Sequence, residues 1–184
     1  MNSIIVRPTG SRGTMNEENW IRGAQKGDLT AFEQLVRAKR ERIYWLAFRI
    51  IGNEEDAKDI TQLVFIKLWK VIGQYRRKYP FDTWLYRIVV NLSIDYYRKE
   101  GQKRRLSTSI DEPESKVTLQ SPQGQDLEMM LGEVSEIFAE LAKELSPRQR
   151  AVFALKEIEN RSTREVAKIM GLRQSTVRNH LFQA

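Results

Sequence analysis

The sequence has no cysteine and one histidine, His180. Without cysteine there is no disulfide framework and no cysteine metal site, and a lone imidazole assembles no metal centre. His180 therefore reads as a surface or helix-packing residue, no cofactor is expected, and a reducing, cytoplasmic setting is the natural one. No apolar run approaches the roughly 20 residues that span a bilayer, so no membrane insertion is expected. Residues 1–15 carry two arginines with no apolar stretch behind them. They read as a flexible leader rather than a signal peptide, with Met15 as an alternative start.

What is present is hydrophobic content and charge. At 41% apolar residues the 184-residue chain is rich enough for packed cores, which excludes a disordered protein and suggests one or two small domains. The net charge of +7 is unevenly spread. Residues 1–105 carry +9, residues 106–145 carry −7, and residues 146–184 carry +5. Two basic blocks thus flank an acidic one. Basic blocks favour polyanions, because binding releases condensed counterions, although two solvated surfaces have the same composition.

Apolar residues recur at three- and four-residue spacing and no long alternation appears, so the chain reads as all-α. A short helix covers Glu17 to Gln25, and a longer one runs from about Leu29 to Ile51. Gly52 suits that helix's C-cap, and Asn53 an N-cap for a third helix reaching about Lys70. A loop of basic and aromatic residues, 73–80, precedes a fourth helix, which Asp82 is expected to cap and which reaches about Lys99. From Glu100 to Gln125 the composition turns to Gln, Ser, Pro, Gly and acids. The expected organisation is a leader (1–15), a first helical domain (16–105), a flexible linker (106–125) and a second helical domain (126–184). The second domain begins with a helix from about Asp126 to Leu145. Ser146-Pro147-Arg148-Gln149 and Ser162-Thr163-Arg164-Glu165 are both capping boxes.

Ala167, Gly171 and Val177 stand at the spacing of a helix-turn-helix. A small residue lets the helices approach, glycine turns the chain, and the apolar residue seats the second helix. The outer side of that helix carries Arg173, Gln174, Ser175, Thr176, Arg178 and Asn179, with Phe182 near its end. Arginine suits guanine, asparagine and glutamine suit adenine, and hydroxyls suit phosphates. Any two-helix corner shares part of this pattern.

Taken together, the motifs resemble a family. The segments from Gly27 to Val36, from Asp56 to Trp69, from Phe81 to Lys99 and from Leu145 to Arg150 are similar, in this order, to the conserved parts of extracytoplasmic-function (ECF) sigma factors of the sigma-70 family. The resemblance implies partners: core RNA polymerase, through its clamp and flap, and promoter DNA, both double- and single-stranded. It also implies an anti-sigma factor. The first domain would recognise the −10 element and hold it melted. The second would read the −35 element. The third helix would dock on polymerase through Asp56, Asp59, Gln62, Phe65 and Lys67. Leu63 departs from the pattern, standing where the family commonly has an acid. The chain also ends at Ala184, short of the basic turn that usually closes the family's last helix; weaker, less salt-sensitive binding to the −35 element is expected.

Residue chemistry supports the melting role independently. On the fourth helix Arg87, Asn91, Asp95 and Arg98 fall on one polar stripe, with Asp95 able to orient Arg98 and Lys99. Tyr75, Arg76, Arg77, Tyr79 and Phe81 lie beside it, and Lys103, Arg104 and Arg105 extend the basic track. Rings interleaved with cations suit unstacked bases and their phosphates. Trp84 and Tyr86 read as core. The acids Glu54, Glu55, Asp56 and Asp59 could suggest a metal-dependent nuclease, but the first three suit a helix's first turn, where carboxylates complement the dipole. No catalytic constellation is found and the chain does not read as an enzyme. The alternative reading is a helix-turn-helix regulator with an N-terminal sensor or dimerisation domain, which leaves the track from Tyr75 to Arg105 unexplained.

Overall fold

Local capping chemistry sets most of the helix ends. The computed structural model describes residues 12–107 and 144–182, and every regular element there is helical. Helix α1 spans Arg12–Gln25. Asp28 caps α2 (Leu29–Ile51), accepting from the backbone N–H of Thr30 and Ala31. Gly52 ends α2 in the left-handed region at φ 78°, its N–H donating to Phe48 O. Asn53 caps α3 (Glu54–Val71) by accepting from Asp56 N, and Glu54, Glu55 and Asp56 fill the first turn. A short 3-10 turn, Ile72–Gln74, and the loop 75–80 lead into α4 (Phe81–Ser107).

Helix α5 (Pro147–Phe153) begins with the capping box of Ser146 and Gln149 and runs into a π-helical segment, Ala154–Ile158. A second box, Ser162 with Glu165, starts α6 (Thr163–Met170). Gly171, at φ 65°, turns the chain toward α7 (Gln174–Phe182). The linker expected at 106–125 and the helix expected from Asp126 to Leu145 lie almost wholly outside the described residues.

Helix α2 is the centre of the fold, touching α1, α3 and α4 and, from the C-terminal part, α5 and the π segment. Its fully buried Leu35, Ile43, Leu46 and Ile50 meet Ile60, Val64 and Leu68 of α3 and Leu85, Tyr86 and Val89 of α4. The same cluster continues into Ala151, Leu155, Ile169 and Val177. Burying side chains of this size contributes about 1.5–3 kcal/mol each. The two halves are therefore joined by apolar contact as well as by ion pairs.

Three departures from the sequence expectation appear, and the third has a physical reason. Helix α1 starts earlier and α4 runs further than periodicity alone suggests. Asp82 is not an N-cap; it lies within the first turn of α4. Its carboxylate is taken up by distant cations: Lys39 at 2.6 Å, Arg161 at 3.5 Å and Arg42 at 3.7 Å. Lys39 is itself buried and also meets Glu17 at 2.8 Å, so one ammonium ties α1, α2 and α4 together.

Candidate nucleic-acid interface

Alternation of buried and exposed positions on α4 produces the outward stripe. Leu85, Val89 and Val90 turn inward, while Arg87, Asn91, Asp95, Arg98 and Lys99 are all exposed. Asp95 and Arg98 form a 3.8 Å ion pair, and both are well solvated. Arg104 and Arg105 fall in the last turns of α4, where only the backbone is described. Arg76 and Arg77 are exposed at the loop before α4. Arg76 donates to Gly73 O at 3.0 Å, and Arg77 pairs with Glu18 of α1 at 3.3 Å.

Two aromatic rings of the loop do not face solvent. Tyr75 is 7% and Phe81 5% exposed. Their rings meet edge to face at 5.3 Å, and Trp84 closes the cluster. The Tyr75 hydroxyl donates to Tyr79 O, and Gln25 donates to the carbonyls of Ile72 and Tyr75. Burial pushes the Tyr75 phenol above its ordinary pKa. These rings shape the loop from inside and cannot stack on bases in this arrangement. Tyr79 is the exposed ring of the loop, with Lys78 at 5.8 Å and Lys168 at 4.5 Å from its centroid.

In the helix-turn-helix, Val177 is fully buried and Ala167 nearly so, which seats α7 on α6. Arg173, Gln174, Ser175, Arg178 and Asn179 remain exposed, Thr176 is half-buried, and Phe182 is 93% exposed.

On α3, Asp59, Gln62 and Lys67 face solvent, whereas Phe65 is buried and belongs to the core. Asp56 is half-buried and accepts from the Tyr96 hydroxyl, a bond that raises the phenol's pKa. Glu54 and Glu55 both pair with Lys58. The acids of this turn thus serve the helix and its neighbours. A polar reading of α3 passes over Leu63 and Ile66, which are 45% and 52% exposed and stand one turn apart. The apolar residue in place of an acid at position 63 is the signal in the sequence that points to them.

Arg150 adds to the basic block by count, but its role is structural. Its Nε donates to Leu145 O, Nη1 reaches Ile50 O, and its guanidinium lies 5.6 Å from the Tyr97 ring centroid. Burial lowers its pKa, as it does that of Arg49.

Among the described residues no helix is long and apolar enough to cross a membrane. Two family models match in order: sigma-70 region 2 over residues 35–103 and sigma-70 region 4 over residues 135–184. The chain is 31% identical to the ECF RNA polymerase sigma factor SigW of Bacillus subtilis over 168 residues, 89% of each chain. It is 29% identical to the ECF RNA polymerase sigma-E factor of Escherichia coli over 175 residues, 92% of this chain and 91% of that one. In fold it is similar to the CnrH chain solved in complex with the cytosolic domain of CnrY (TM-score 0.65, 22% identity, 92% of each chain). It is similarly close to the sigma factor RpoE of Bartonella quintana solved with the anti-sigma factor NepR (TM-score 0.65, 19% identity, 84% of this chain and 92% of that one). A region 2 match covering α2 to α4 disfavours the alternative of a sensor domain fused to a helix-turn-helix. Such factors regulate the start of transcription rather than catalyse a reaction. With region 2 and region 4 in series and relatives matched over nearly their whole length, the chain belongs to the ECF sigma factors of the sigma-70 family and is an RNA polymerase sigma factor.

Proposed function

We propose that the outward stripe of α4 holds the melted −10 element, that α7 reads the −35 element, and that the outer face of α3 docks on core polymerase. The exposure of Arg87, Asn91, Asp95 and Arg98 on one helix face carries this reading. Arg87 and Arg98 offer charge to phosphates, Asn91 offers both a donor and an acceptor to a base edge, and Asp95 restrains Arg98. Tyr79 takes the stacking part that the sequence suggests for Tyr75 and Phe81, because its ring is accessible. Arg76, Arg77, Lys99, Arg104 and Arg105 extend the cationic path along the strand.

On α7, Arg173, Gln174, Ser175, Arg178 and Asn179 address the major groove, with Thr176 and Phe182 at its margins. On α3, Asp59, Gln62 and Lys67 surround Leu63 and Ile66, an apolar centre with a polar rim of the kind that protein interfaces use. Asp56 supports that face from behind through Tyr96. An anti-sigma protein is a further partner, supported by the complex of the Bartonella quintana relative with the anti-sigma factor NepR. The cytoplasm is the expected setting.

In vitro transcription with added core polymerase tests the reading. Promoter-dependent initiation is expected from the full chain. Absence of both core binding and initiation would overturn it.

A further inference from the structure

We propose that Gln25 and Tyr75 are positioning residues for strand opening: through them α1 fixes where the Tyr79 ring stands, and so how well the loop 75–80 holds an unstacked base. This role rests on the stacking part given to Tyr79 above and adds the residues that hold the ring in place.

The contacts form a relay from α1 to the ring. Gln25, the last residue of α1, donates from Nε2 to the carbonyl oxygens of Ile72 at 3.1 Å and Tyr75 at 3.0 Å. An amide nitrogen carries two N–H groups, one for each carbonyl. The Tyr75 ring is buried between Phe81 and Trp84, with centroids 5.3 and 5.2 Å away. Its hydroxyl donates to Tyr79 O at 2.9 Å. The backbone of Tyr79 is thus tied to a buried ring, and the carbonyl of that buried residue is tied to α1. The Tyr79 side chain is left 39% exposed.

The end of α1 is a firm base for this relay. Ile21 and Ala24 are buried in the core. A Cβ added at Gly23 would stand 2.6 Å from the Ala31 Cβ, so the last turn of α1 and the first turn of α2 meet more closely than any other residue type allows. The turn that follows Gln25 is bonded back onto the helix: Lys26 N and Asp28 N donate to Gly23 O, and Gly27 N donates to Ala24 O. Glu18 gives α1 a further hold on the loop, 3.3 Å from Arg77.

These bonds contribute little to stability. Gln25 is exposed, so water can take over its two bonds, and Ile72 O also accepts from Tyr75 N at 3.0 Å. Their effect is on geometry. A binding group works only when its support holds it to within about 0.5 Å of the productive position.

Variants of the full chain, assembled with core polymerase on a promoter that the parent opens, test the relay. Permanganate reactivity of unpaired thymines reads the opening equilibrium, and core binding and the thermal midpoint are followed alongside. Tyr79→Ala is expected to lower opening about tenfold or more, through lost stacking. Gln25→Met keeps the side chain's length without its N–H groups, and Tyr75→Phe keeps the ring without its hydroxyl. Each is expected to lower opening about three- to tenfold, with core binding unchanged and the thermal midpoint moved by less than about 4 °C. The decisive measurement combines each with Tyr79→Ala. Once the ring is gone nothing is left to position, so the second substitution should lower opening less than about twofold further. Losses that multiply in full in the double variants would overturn the relay, as would unchanged opening in both single variants. An unaffected Tyr79→Ala would instead remove the stacking role of the loop, and the relay with it.

Discussion

The Tyr86 hydroxyl and the Glu159 carboxylate, 73 positions apart in sequence, meet at 2.9 Å between α4 and the end of the π segment. Tyr86 is almost wholly buried, and burial pushes its phenol above the ordinary value of 10.0. Tyr86→Phe removes the bond while keeping the ring. It should cost about 1.5–3 kcal/mol, as expected for a hydrogen bond to a charged group, and urea denaturation measures it.

The same phenol gives a pH dependence. A tyrosine whose folded pKa is raised contributes stability that is complete below about 10 and lost as pH rises toward the folded value. Tyr44 and Tyr75 are shifted the same way by burial. The urea midpoint should therefore fall as pH rises above about 10, less steeply in Tyr86→Phe. Glu165 is shifted downward, chiefly by the hydrogen bond from the Ser162 side chain. Its contribution is present above the ordinary carboxylate pKa of 4.5 and disappears as pH falls through the lowered one.

Lys39 should be the least replaceable charged residue of the N-terminal half. Lys39→Met leaves Glu17 and Asp82 facing a buried spot with no ammonium between them. A loss of about 3–5 kcal/mol is expected, seen as a lowered thermal midpoint. Part of it should return when Glu17→Gln is added.

Ser162→Ala breaks the capping box at α6 and should cost about 1 kcal/mol. Local hydrogen exchange in Thr163–Met170 should rise, while the amides of α2 stay protected.

Asn91→Ala and Arg178→Ala should separate the two promoter elements. The first removes a base-edge hydrogen-bonding group and is expected to weaken strand opening by about 1–3 kcal/mol without changing core binding, as scored by permanganate reactivity and pull-down. The second should weaken dependence on the −35 element by a similar amount. Loss of core binding in Asn91→Ala would remove α4 from the DNA role.

Features set by neighbouring residues were legible in the sequence. The bounds of α2, the caps at Asn53, Ser146 and Ser162, and the turn at Gly171 depend on side chains reaching a few positions along the chain. The features that sequence reading mistakes depend on distant partners. Asp82 looks like a cap in isolation and becomes an anchor only once Lys39, Arg42 and Arg161 converge on it. Tyr75 and Phe81 carry the chemistry of a base-stacking loop, but which ring turns inward is decided by Trp84 and Gln25. Arg150 adds to the net charge and yet spends it on the protein itself.

The widened turn at Ala154–Ile158 lies just upstream of Glu159 and Arg161. Its backbone bond from Glu159 N back to Ala154 O accommodates one more residue than an α-helical turn would. Deleting one residue there would let the α-helix continue and rotate the downstream chain by about 100°. Glu159 and Arg161 would swing away from Tyr86 and Asp82, while the helix-turn-helix, which carries its own caps, would survive intact. A single-codon deletion is thus expected to free the helix-turn-helix from its place against α4 without dismantling either.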